Sequence, residues 1–224
     1  MLAASREFVA RLGQLRIVPV VAIDKPDDAA PLADALVAGG IGCIEITFRT
    51  AAAADAISAL AGRTDIVVGA GTVTSAAQVD LALDAGATFA VSPGFDDGVA
   101  ARCAERGVPL LPGVATATEI MRALAAGFDV VKLFPVEAIG GLATLKALAA
   151  PFPALRFVPT GGIDAARAAA YLAHPAVLAV GGSWMVPGAA MARGAWDEIE
   201  QAARSAARLV SETTTRSLPG SAGV

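Results

Sequence analysis

The sequence predicts an α/β protein in which eight strand–helix units form a closed (β/α)8 TIM barrel behind an N-terminal helix. Short β-branched apolar runs alternate along the chain with alanine- and leucine-rich segments of helical spacing. The runs are apolar throughout, which is typical of parallel strands covered by helices. Glycines and polar residues gather directly after the strands, and in a barrel these strand ends meet at one rim, where the active site lies. The competing architecture is an open doubly wound sheet, which would concentrate one glycine-rich loop near the first strand.

The elements follow in a regular order. Residues 1–14 contain Arg6, Glu7 and Arg11 and are predicted to form an amphipathic helix, so they lack the apolar core of a signal peptide. The predicted strands are Ile17–Ile23, Cys43–Phe48, Ile66–Val68, Phe89–Val91, Val108–Leu111, Val130–Phe134, Arg156–Val158 and Val177–Val180. The predicted helices between them include Asp27–Ala38, Ala51–Leu60, Ala76–Ala85, Asp96–Arg106, Thr118–Ala126 and Asp164–Leu172, and several end in glycine, as a left-handed C-cap requires.

The chain shows no internal domain boundary. A closing helix is predicted over Gly194–Val210, and the Ser/Thr/Gly-rich residues 211–224 are predicted to be disordered. Residues 1–210 are therefore expected to form a single barrel domain.

Composition excludes several classes of function. The net charge is −4 and the arginines are scattered, so no basic face for nucleic acid is expected. The longest uncharged stretch, Pro175–Ala192, is broken by prolines and glycines and is a poor membrane span. Two separated cysteines and the single His174 argue for a reducing compartment and against a metal centre. We expect a cytoplasmic protein without a metal centre.

Lys132 lies in the middle of the apolar strand Val130–Phe134. A charged side chain is rarely buried in such a strand unless it has a partner or a function. Burial disfavours the ammonium form of a lysine and can produce a free amine, which is the nucleophile of Schiff-base enzymes. The alternative is a lysine that reaches solvent or pairs with a buried carboxylate.

Glu45 is predicted to point into the barrel with Lys132. Alternation places Cys43, Glu45 and Thr47 on one face of their strand and the isoleucines on the other, facing the helices. A buried carboxylate there suits a proton shuttle, although a structural ion pair with Arg49 or Lys132 is the alternative. Arg49 ends the same strand, and its planar guanidinium suits a substrate carboxylate, or it caps a loop.

Glycine pairs follow the last two strands, at Gly161-Gly162 and Gly181-Gly182. Their backbone N–H groups, with helix N-termini expected near Asp164 and Trp184, suit a phosphate, and Ser183 would add a hydroxyl donor. Tight turns alone are the alternative. Thr72, Pro93 and Thr160 also fall at this rim, though each could serve only the local turn, and for Pro93 this is the favoured interpretation.

Residues 17–187 contain an ordered set of motifs: Glu45-Ile46-Thr47-Phe48-Arg49-Thr50, Gly69-Ala70-Gly71-Thr72-Val73, Ser92-Pro93-Gly94, Lys132-Leu133-Phe134-Pro135, Pro159-Thr160-Gly161-Gly162-Ile163 and Gly181-Gly182-Ser183-Trp184. In this order the motifs resemble those of the 2-keto-3-deoxy-6-phosphogluconate / 4-hydroxy-2-oxoglutarate aldolases. The resemblance implies a metal-free class I aldolase, usually a homotrimer. Such an enzyme cleaves the phosphorylated 2-keto acid to pyruvate and glyceraldehyde 3-phosphate.

The resemblance also implies a role for each site residue. Lys132 would form the Schiff base, and Glu45 would shuttle protons. Arg49 and Thr72 would hold the pyruvate carboxylate. The pocket would be lined by Pro93, Phe134 and Thr160, and the phosphate would be bound by Gly161, Gly162, Gly181, Gly182 and Ser183.

Two departures leave the fine substrate preference open. Phe48 stands where a leucine is common, and Ile139 stands where a polar residue is expected. The alternatives are an aldolase for a related 2-keto acid, either 2-keto-3-deoxy-6-phosphogalactonate or 4-hydroxy-2-oxoglutarate, and a metal-free phosphosugar isomerase. A barrel that only senses a phospho-ligand is the non-enzymatic alternative.

Overall fold

The structure is a computed structural model that describes residues 3–217 of the chain. Within this range it has ten α-helices and nine β-strands. The helices are α1 (Ala3–Leu15), α2 (Ala29–Ala38), α3 (Ala53–Ser58), α4 (Ala76–Asp84), α5 (Asp97–Glu105), α6 (Ala117–Ala125), α7 (Gly141–Ala149), α8 (Ala165–Leu172), α9 (Gly188–Arg193) and α10 (Trp196–Ser217). The strands are β1 (Ile17–Val21), β2 (Cys43–Thr47), β3 (Val67–Gly71), β4 (Phe89–Val91), β5 (Leu110–Leu111), β6 (Gly113–Val114), β7 (Val130–Leu133), β8 (Arg156–Pro159) and β9 (Val180–Gly182).

All strand pairs are parallel, and the strands form a curled sheet in two parts. The larger part has the order β5-β4-β3-β2-β1-β9 and the smaller part has the order β6-β7-β8. Isolated bridges pair Phe157 with Val177 and Thr160 with Gly181, next to β8 and β9. The predicted α/β class with parallel strands is therefore confirmed.

Side chains of alternate strand residues pack on opposite sides of the sheet. Ile44 and Ile46 of β2 contact the core beneath the helices, whereas Cys43 belongs to a separate cluster enclosed by the strands. On β7, Val131 and Leu133 face the helices and Val130 belongs to the enclosed cluster. This alternation fixes the direction of Glu45 and Lys132, which follow the enclosed residues by two positions in each strand.

Helix α1 packs against the amino-terminal ends of the strands. Leu12 is buried in the enclosed cluster, and the Phe8 ring lies 4.7 Å from that of Phe89 in β4. The enclosed apolar cluster thus fills the space between α1 and the polar residues at the other end of the strands. Among residues 3–217, no helix has both the length and the apolar character needed to cross a bilayer.

Several element boundaries differ from the predictions. Of the predicted strand Val108–Leu111, only Leu110 and Leu111 form β5. A separate strand, β6, begins after Pro112, which has no N–H to donate to a neighbouring strand. The last strand runs over Val180–Gly182, so only Val180 of the predicted Val177–Val180 belongs to it. Helix α9 begins at Gly188, four residues after the helix start expected near Trp184.

The carboxyl-terminal boundary also needs correction. Helix α10 continues to Ser217, so the prediction of a disordered tail from residue 211 is wrong for residues 211–217. Residues 218–224 lie outside the described part of the chain.

Candidate active site

A cavity of about 420 Å³ opens at the carboxyl ends of the parallel strands. Most of the predicted site residues line it: Arg49, Thr72, Pro93, Lys132, Phe134, Thr160, Gly161, Gly162, Gly182 and Ser183. Val20, Thr47, Ile163 and Trp184 also line it, and were not predicted. Glu45 and Gly181 lie immediately behind the lining. The structure thus brings together residues from seven strands or the loops directly after them, as expected of a site built on parallel strand ends.

Lys132 and Glu45 form a buried ion pair at the base of this cavity. The distance from Lys132 Nζ to Glu45 Oε1 is 3.1 Å, and the two side chains are only 6% and 3% exposed. Lys132 Nζ also lies 5.4 Å from the centre of the Phe134 ring. Both groups face the enclosed side of the sheet, as strand alternation predicts. The ion pair considered as the alternative is also present, and it places an amine and a carboxylate within direct proton-transfer distance at the cavity wall.

Gly71 makes room for the Glu45 carboxylate. Gly71 is paired in register with Thr47, and a Cβ atom at Gly71 would lie 2.2 Å from Glu45 Oε1 and 2.6 Å from its Cγ. Real Cβ atoms do not approach oxygen this closely, so only glycine allows the carboxylate to occupy this position. The sequence shows a glycine in the motif Gly69-Ala70-Gly71-Thr72, but not which side chain fills the space above it.

Thr47 holds the side chain of Arg49 and was not predicted as a site residue. The Arg49 Nε donates to Thr47 Oγ1 at 3.0 Å, and Thr47 Oγ1 donates to the carbonyl oxygen of Val21 at 3.0 Å. These two hydrogen bonds anchor Nε of the Arg49 guanidinium to the sheet. Its two terminal nitrogens are left to bind a ligand. The alternation that places Thr47 on the same face as Glu45 was the available signal.

Thr72 directly follows β3 and adopts a left-handed backbone conformation, with φ at 57°. A β-branched residue rarely adopts this conformation, which costs about 1–3 kcal/mol and concentrates at functional sites. In this conformation Thr72 lies in the wall of the cavity that Lys132 also lines.

Pro93 lies on a backbone that is packed closely against the next strand. A Cβ atom at Gly113 would lie 2.2 Å from the Pro93 carbonyl oxygen. The close approach brings the β4 loop against β6, the neighbour of the Lys132 strand. Pro93 therefore has a packing role in addition to lining the cavity.

The loop after β8 is suited to an anion. Gly161 and Gly162 have φ values of 102° and 80°, and within residues 3–217 no hydrogen bond uses the N–H group of either glycine. Helix α8 follows, with Asp164 as N-cap accepting from the N–H of Arg167 at 2.9 Å. Successive free N–H groups next to a helix start are typical of phosphate sites.

The loop after β9 completes this side of the cavity. A Cβ atom at Gly181 would lie 2.3 Å from Thr160 Oγ1, so Gly181 allows the two strands to approach at the Thr160–Gly181 bridge. Gly182 similarly leaves space for the Trp184 ring, and Ser183 is exposed at the cavity. The expected helix start near Trp184 is wrong: a turn closes from Val186 N to Ser183 O at 2.9 Å, and α9 begins only at Gly188.

The remaining titratable candidates lie away from the cavity. His174 follows α8, where its Nδ1 accepts from the N–H of Ala176 at 3.2 Å, and burial with nearby Lys146 lowers its pKa. Burial, together with the charge of Glu45, raises the pKa of the Cys43 thiol to about 12. Within the described residues, no group of three or more His, Cys, Asp or Glu side chains could hold a metal ion.

Comparison with known proteins identifies close relatives over most of the chain. The model of the aldolase family "KDPG and KHG aldolase" matches residues 9–202. The 2-dehydro-3-deoxy-phosphogluconate aldolase of Treponema pallidum is 50% identical over 200 residues, covering 89% of this chain and 95% of the relative. The KHG/KDPG aldolase of Escherichia coli K12 is 44% identical over 191 residues, covering 85% and 90%.

Solved structures agree with the sequence relatives. The KDPG aldolase of Legionella pneumophila, with pyruvate captured as a covalent carbinolamine intermediate, has a TM-score of 0.85 and 39% identity, covering 88% of this chain and 97% of that one. The 2-keto-3-deoxy-6-phosphogluconate aldolase of Zymomonas mobilis ZM4, with 3-phosphoglycerate, has a TM-score of 0.82 and 42% identity, covering 88% and 94%.

Proposed function

The chain belongs to the KDPG and KHG aldolase family and is a Schiff-base aldolase, and we propose that it cleaves 2-keto-3-deoxy-6-phosphogluconate to pyruvate and glyceraldehyde 3-phosphate. The observation that carries the proposal is the buried pair of Lys132 and Glu45 at the wall of the strand-end cavity. This cleavage is the aldol step of the Entner–Doudoroff pathway.

The reaction begins with a proton transfer inside the pair. Lys132 passes a proton from Nζ to Glu45 Oε1, across 3.1 Å, and the free amine attacks the C2 carbonyl of the substrate. Glu45 then returns this proton to the C2 oxygen to give the carbinolamine. A second proton passes through Glu45 from the carbinolamine nitrogen to the same oxygen, which leaves as water, and a protonated imine remains on Lys132. The positive nitrogen is now the electron sink for the next step.

Carbon–carbon cleavage follows from the imine. Glu45, again a carboxylate, accepts the proton of the C4 hydroxyl, the C3–C4 electron pair moves toward the iminium nitrogen, and the aldehyde product departs. The enamine left on Lys132 takes back this proton from Glu45 at C3, and water adds to C2 of the resulting iminium to release pyruvate and the lysine. Because the iminium supplies the electron sink, the mechanism requires no metal and no organic cofactor.

The substrate is proposed to lie between two binding regions. Arg49 and Thr72 hold the carboxylate of the pyruvate half, since the guanidinium anchored by Thr47 has free terminal nitrogens at the cavity. The phosphate is bound at the glycine loops, and the pocket between them is walled by apolar and hydroxyl groups. The phosphate residues are Gly161, Gly162, Gly181, Gly182 and Ser183, and the wall residues are Pro93, Phe134 and Thr160.

The finer architecture is also a proposal. We infer that the two parts of the sheet belong to one closed barrel in a single domain. The inference is supported by the Thr160–Gly181 bridge on one side and, on the other, by the short break at Pro112, whose carbonyl accepts from Lys132 N at 2.8 Å. A homotrimer in the cytoplasm is the expected assembly and location, by resemblance to the family and from the reduced cysteines.

The substrate assignment is tested by comparing four 2-keto acids with the purified enzyme. The compounds are 2-keto-3-deoxy-6-phosphogluconate, its C4 epimer, its unphosphorylated counterpart and 4-hydroxy-2-oxoglutarate. We expect the highest kcat/KM for the first, because the glycine loops add contacts to the phosphate. A higher kcat/KM for 4-hydroxy-2-oxoglutarate would support the second activity in the family's name and contradict the assignment.

A further inference from the structure

A group of charged and hydroxyl side chains lies behind the Gly161-Gly162 loop and is not part of the cavity wall. Glu137 lies in the loop after β7, and Tyr171 and Arg167 lie on α8. The Tyr171 hydroxyl donates to Glu137 Oε1 at 2.6 Å, and Arg167 Nε lies 3.4 Å from Glu137 Oε2. One carboxylate therefore joins the loop that follows the Lys132 strand to the helix that follows the phosphate loop.

Arg167 connects this group to the phosphate loop itself. Its Nη1 donates to the carbonyl oxygen of Gly162 at 3.3 Å and to Asp164 Oδ2 at 2.9 Å. Within residues 3–217, Arg167 is the cation hydrogen bonded to the Gly161-Gly162 loop. Because it occupies the carbonyl of Gly162, it helps to fix the conformation that leaves the neighbouring N–H groups free.

The backbone of the Glu137 loop is attached to the same place. The N–H of Val136 donates to Thr160 O at 2.9 Å, and the N–H of Glu137 donates to Gly161 O at 3.1 Å. Gly162 is also packed against the Glu137 side chain, because a Cβ atom at Gly162 would lie 2.8 Å from Glu137 Cβ. The carbonyls of three successive residues, 160 to 162, are thus held by this loop and by Arg167.

Tyr171 is a buried hydrogen-bond donor to Glu137. Tyr171 is 1% exposed, and burial together with its hydrogen bond to Glu137 raises the pKa of its hydroxyl, so it donates as a neutral phenol. The Glu137 side chain is 26% exposed and the Arg167 side chain is 54% exposed, so solvent can screen the ion pair between them. The ion pair therefore orients the Arg167 side chain more than it stabilises the folded protein.

From this arrangement we propose that Glu137 is a positioning residue for the phosphate end of the substrate. It acts through Arg167 and through its own backbone to keep the Gly161-Gly162 loop in its left-handed conformation. The proposal rests on the proposed function, because it assigns to this loop the phosphate of that substrate. It predicts that Glu137 affects phosphorylated substrates selectively, although its side chain does not line the cavity.

The test compares Glu137→Gln, Arg167→Gln and the double variant on two substrates, the phosphorylated 2-keto acid and its unphosphorylated counterpart. We expect Glu137→Gln to lower kcat/KM for the phosphorylated substrate about tenfold, through KM, with kcat and the unphosphorylated substrate within about twofold of wild type. The double variant should lose no more than the larger single loss, because both residues act in one chain of contacts.

The matched control is Glu105→Gln, the same chemical change in an exposed ion pair with Arg102 at 2.8 Å on α5. It should behave as wild type with both substrates. Equal losses with both substrates in Glu137→Gln, no loss at all, or losses that multiply in the double variant would each overturn the proposal.

Thermal unfolding shows whether Glu137→Gln folds. If it does not, a second variant tests the same proposal. Tyr171→Phe removes only the hydroxyl that holds Glu137 and should show the same selectivity for the phosphorylated substrate. Wild-type turnover reports on the proposed function separately. If wild type does not cleave the substrate, binding of inorganic phosphate measured by calorimetry decides the positioning role: about tenfold weaker binding in Glu137→Gln supports it, and unchanged binding contradicts it.

Discussion

The substitution Gly71→Ala tests whether the position of the Glu45 carboxylate determines activity. The new methyl group would lie 2.2 Å from Oε1, 2.6 Å from Cγ and 2.8 Å from Cδ of Glu45. Ordinary contact between carbon atoms begins near ~3.5 Å, so the carboxylate must move by roughly 1 Å. A shift of this size separates Oε1 from Lys132 Nζ, which are 3.1 Å apart.

Two magnitudes follow from this displacement. Breaking a buried ion pair by removing one partner costs about 3–5 kcal/mol, which sets the upper limit for the loss in free energy of unfolding. Misplacing a catalytic group by about 1 Å costs on the order of 100-fold in rate, so kcat should fall by about that factor. Urea unfolding and steady-state turnover of the phosphorylated substrate measure the two effects.

Gly188→Ala is the matched control, because a Cβ atom at Gly188 has no neighbour within 4 Å. It should retain the stability and turnover of wild type. If Gly71→Ala also retained both, the carboxylate would not need the space above Gly71, and the geometric argument for Glu45 would be wrong.

Three further predictions concern single side chains. Thr47→Val removes the acceptor for Arg49 Nε and should raise the KM of the 2-keto acid about tenfold. Thr47→Ser keeps the hydroxyl and should have the KM of wild type. An unchanged KM in Thr47→Val would show that Arg49 needs no anchor. Glu45→Gln should keep the fold and pyruvate binding while turnover falls by about 10²–10⁴, and unchanged steady-state rates would remove Glu45 from its role. Burial raises the pKa of Cys43 to about 12 and of Cys103 to about 11, so a thiol reagent at pH 8 should label neither in the folded protein and both after unfolding. Because unfolded thiols ionise near pH 9.0 and Cys43 keeps its proton to about pH 12, the free energy of unfolding should also decrease as pH rises through this window, and a flat profile would contradict the burial.

The strands could be predicted from their continuous apolar runs, and the orientation of the catalytic pair from the alternation of side chains along a strand. Alternation with a period of two sends Cys43, Glu45 and Thr47 to one side of β2, and the same rule sends Lys132 to that side of β7. The apolar residues on the opposite side leave no other orientation for these charged groups. Neither inference needed any knowledge of contacts distant in sequence.

The features that sequence did not predict depend on contacts between distant segments. The partner of Arg49 is the hydroxyl of Thr47, but Thr47 is oriented by the carbonyl of Val21 on the neighbouring strand. The left-handed conformation of Thr72 is unfavourable for a threonine in isolation, so no local propensity indicates it.

The boundary errors have local causes. Helix α9 begins at Gly188 and not near Trp184, and Pro187 serves as its N-cap residue with φ near −59°, a value that the ring already favours. Ser/Thr-rich residues after 210 have weak helix propensity, yet α10 continues through them, and Thr213 Oγ1 donates back to Leu209 O at 2.7 Å.

The most direct test of the account is borohydride reduction of the protein in the presence of pyruvate, followed by peptide mass spectrometry. The account predicts one reduced pyruvate adduct, on Lys132, and no adduct on Lys25 or Lys146, the other two lysines of the chain. Lys132→Arg should abolish the adduct while the protein still folds, since the charge that faces Glu45 is kept. An adduct on another lysine, or none on Lys132, would contradict the central claim that the amine beside Glu45 is the nucleophile.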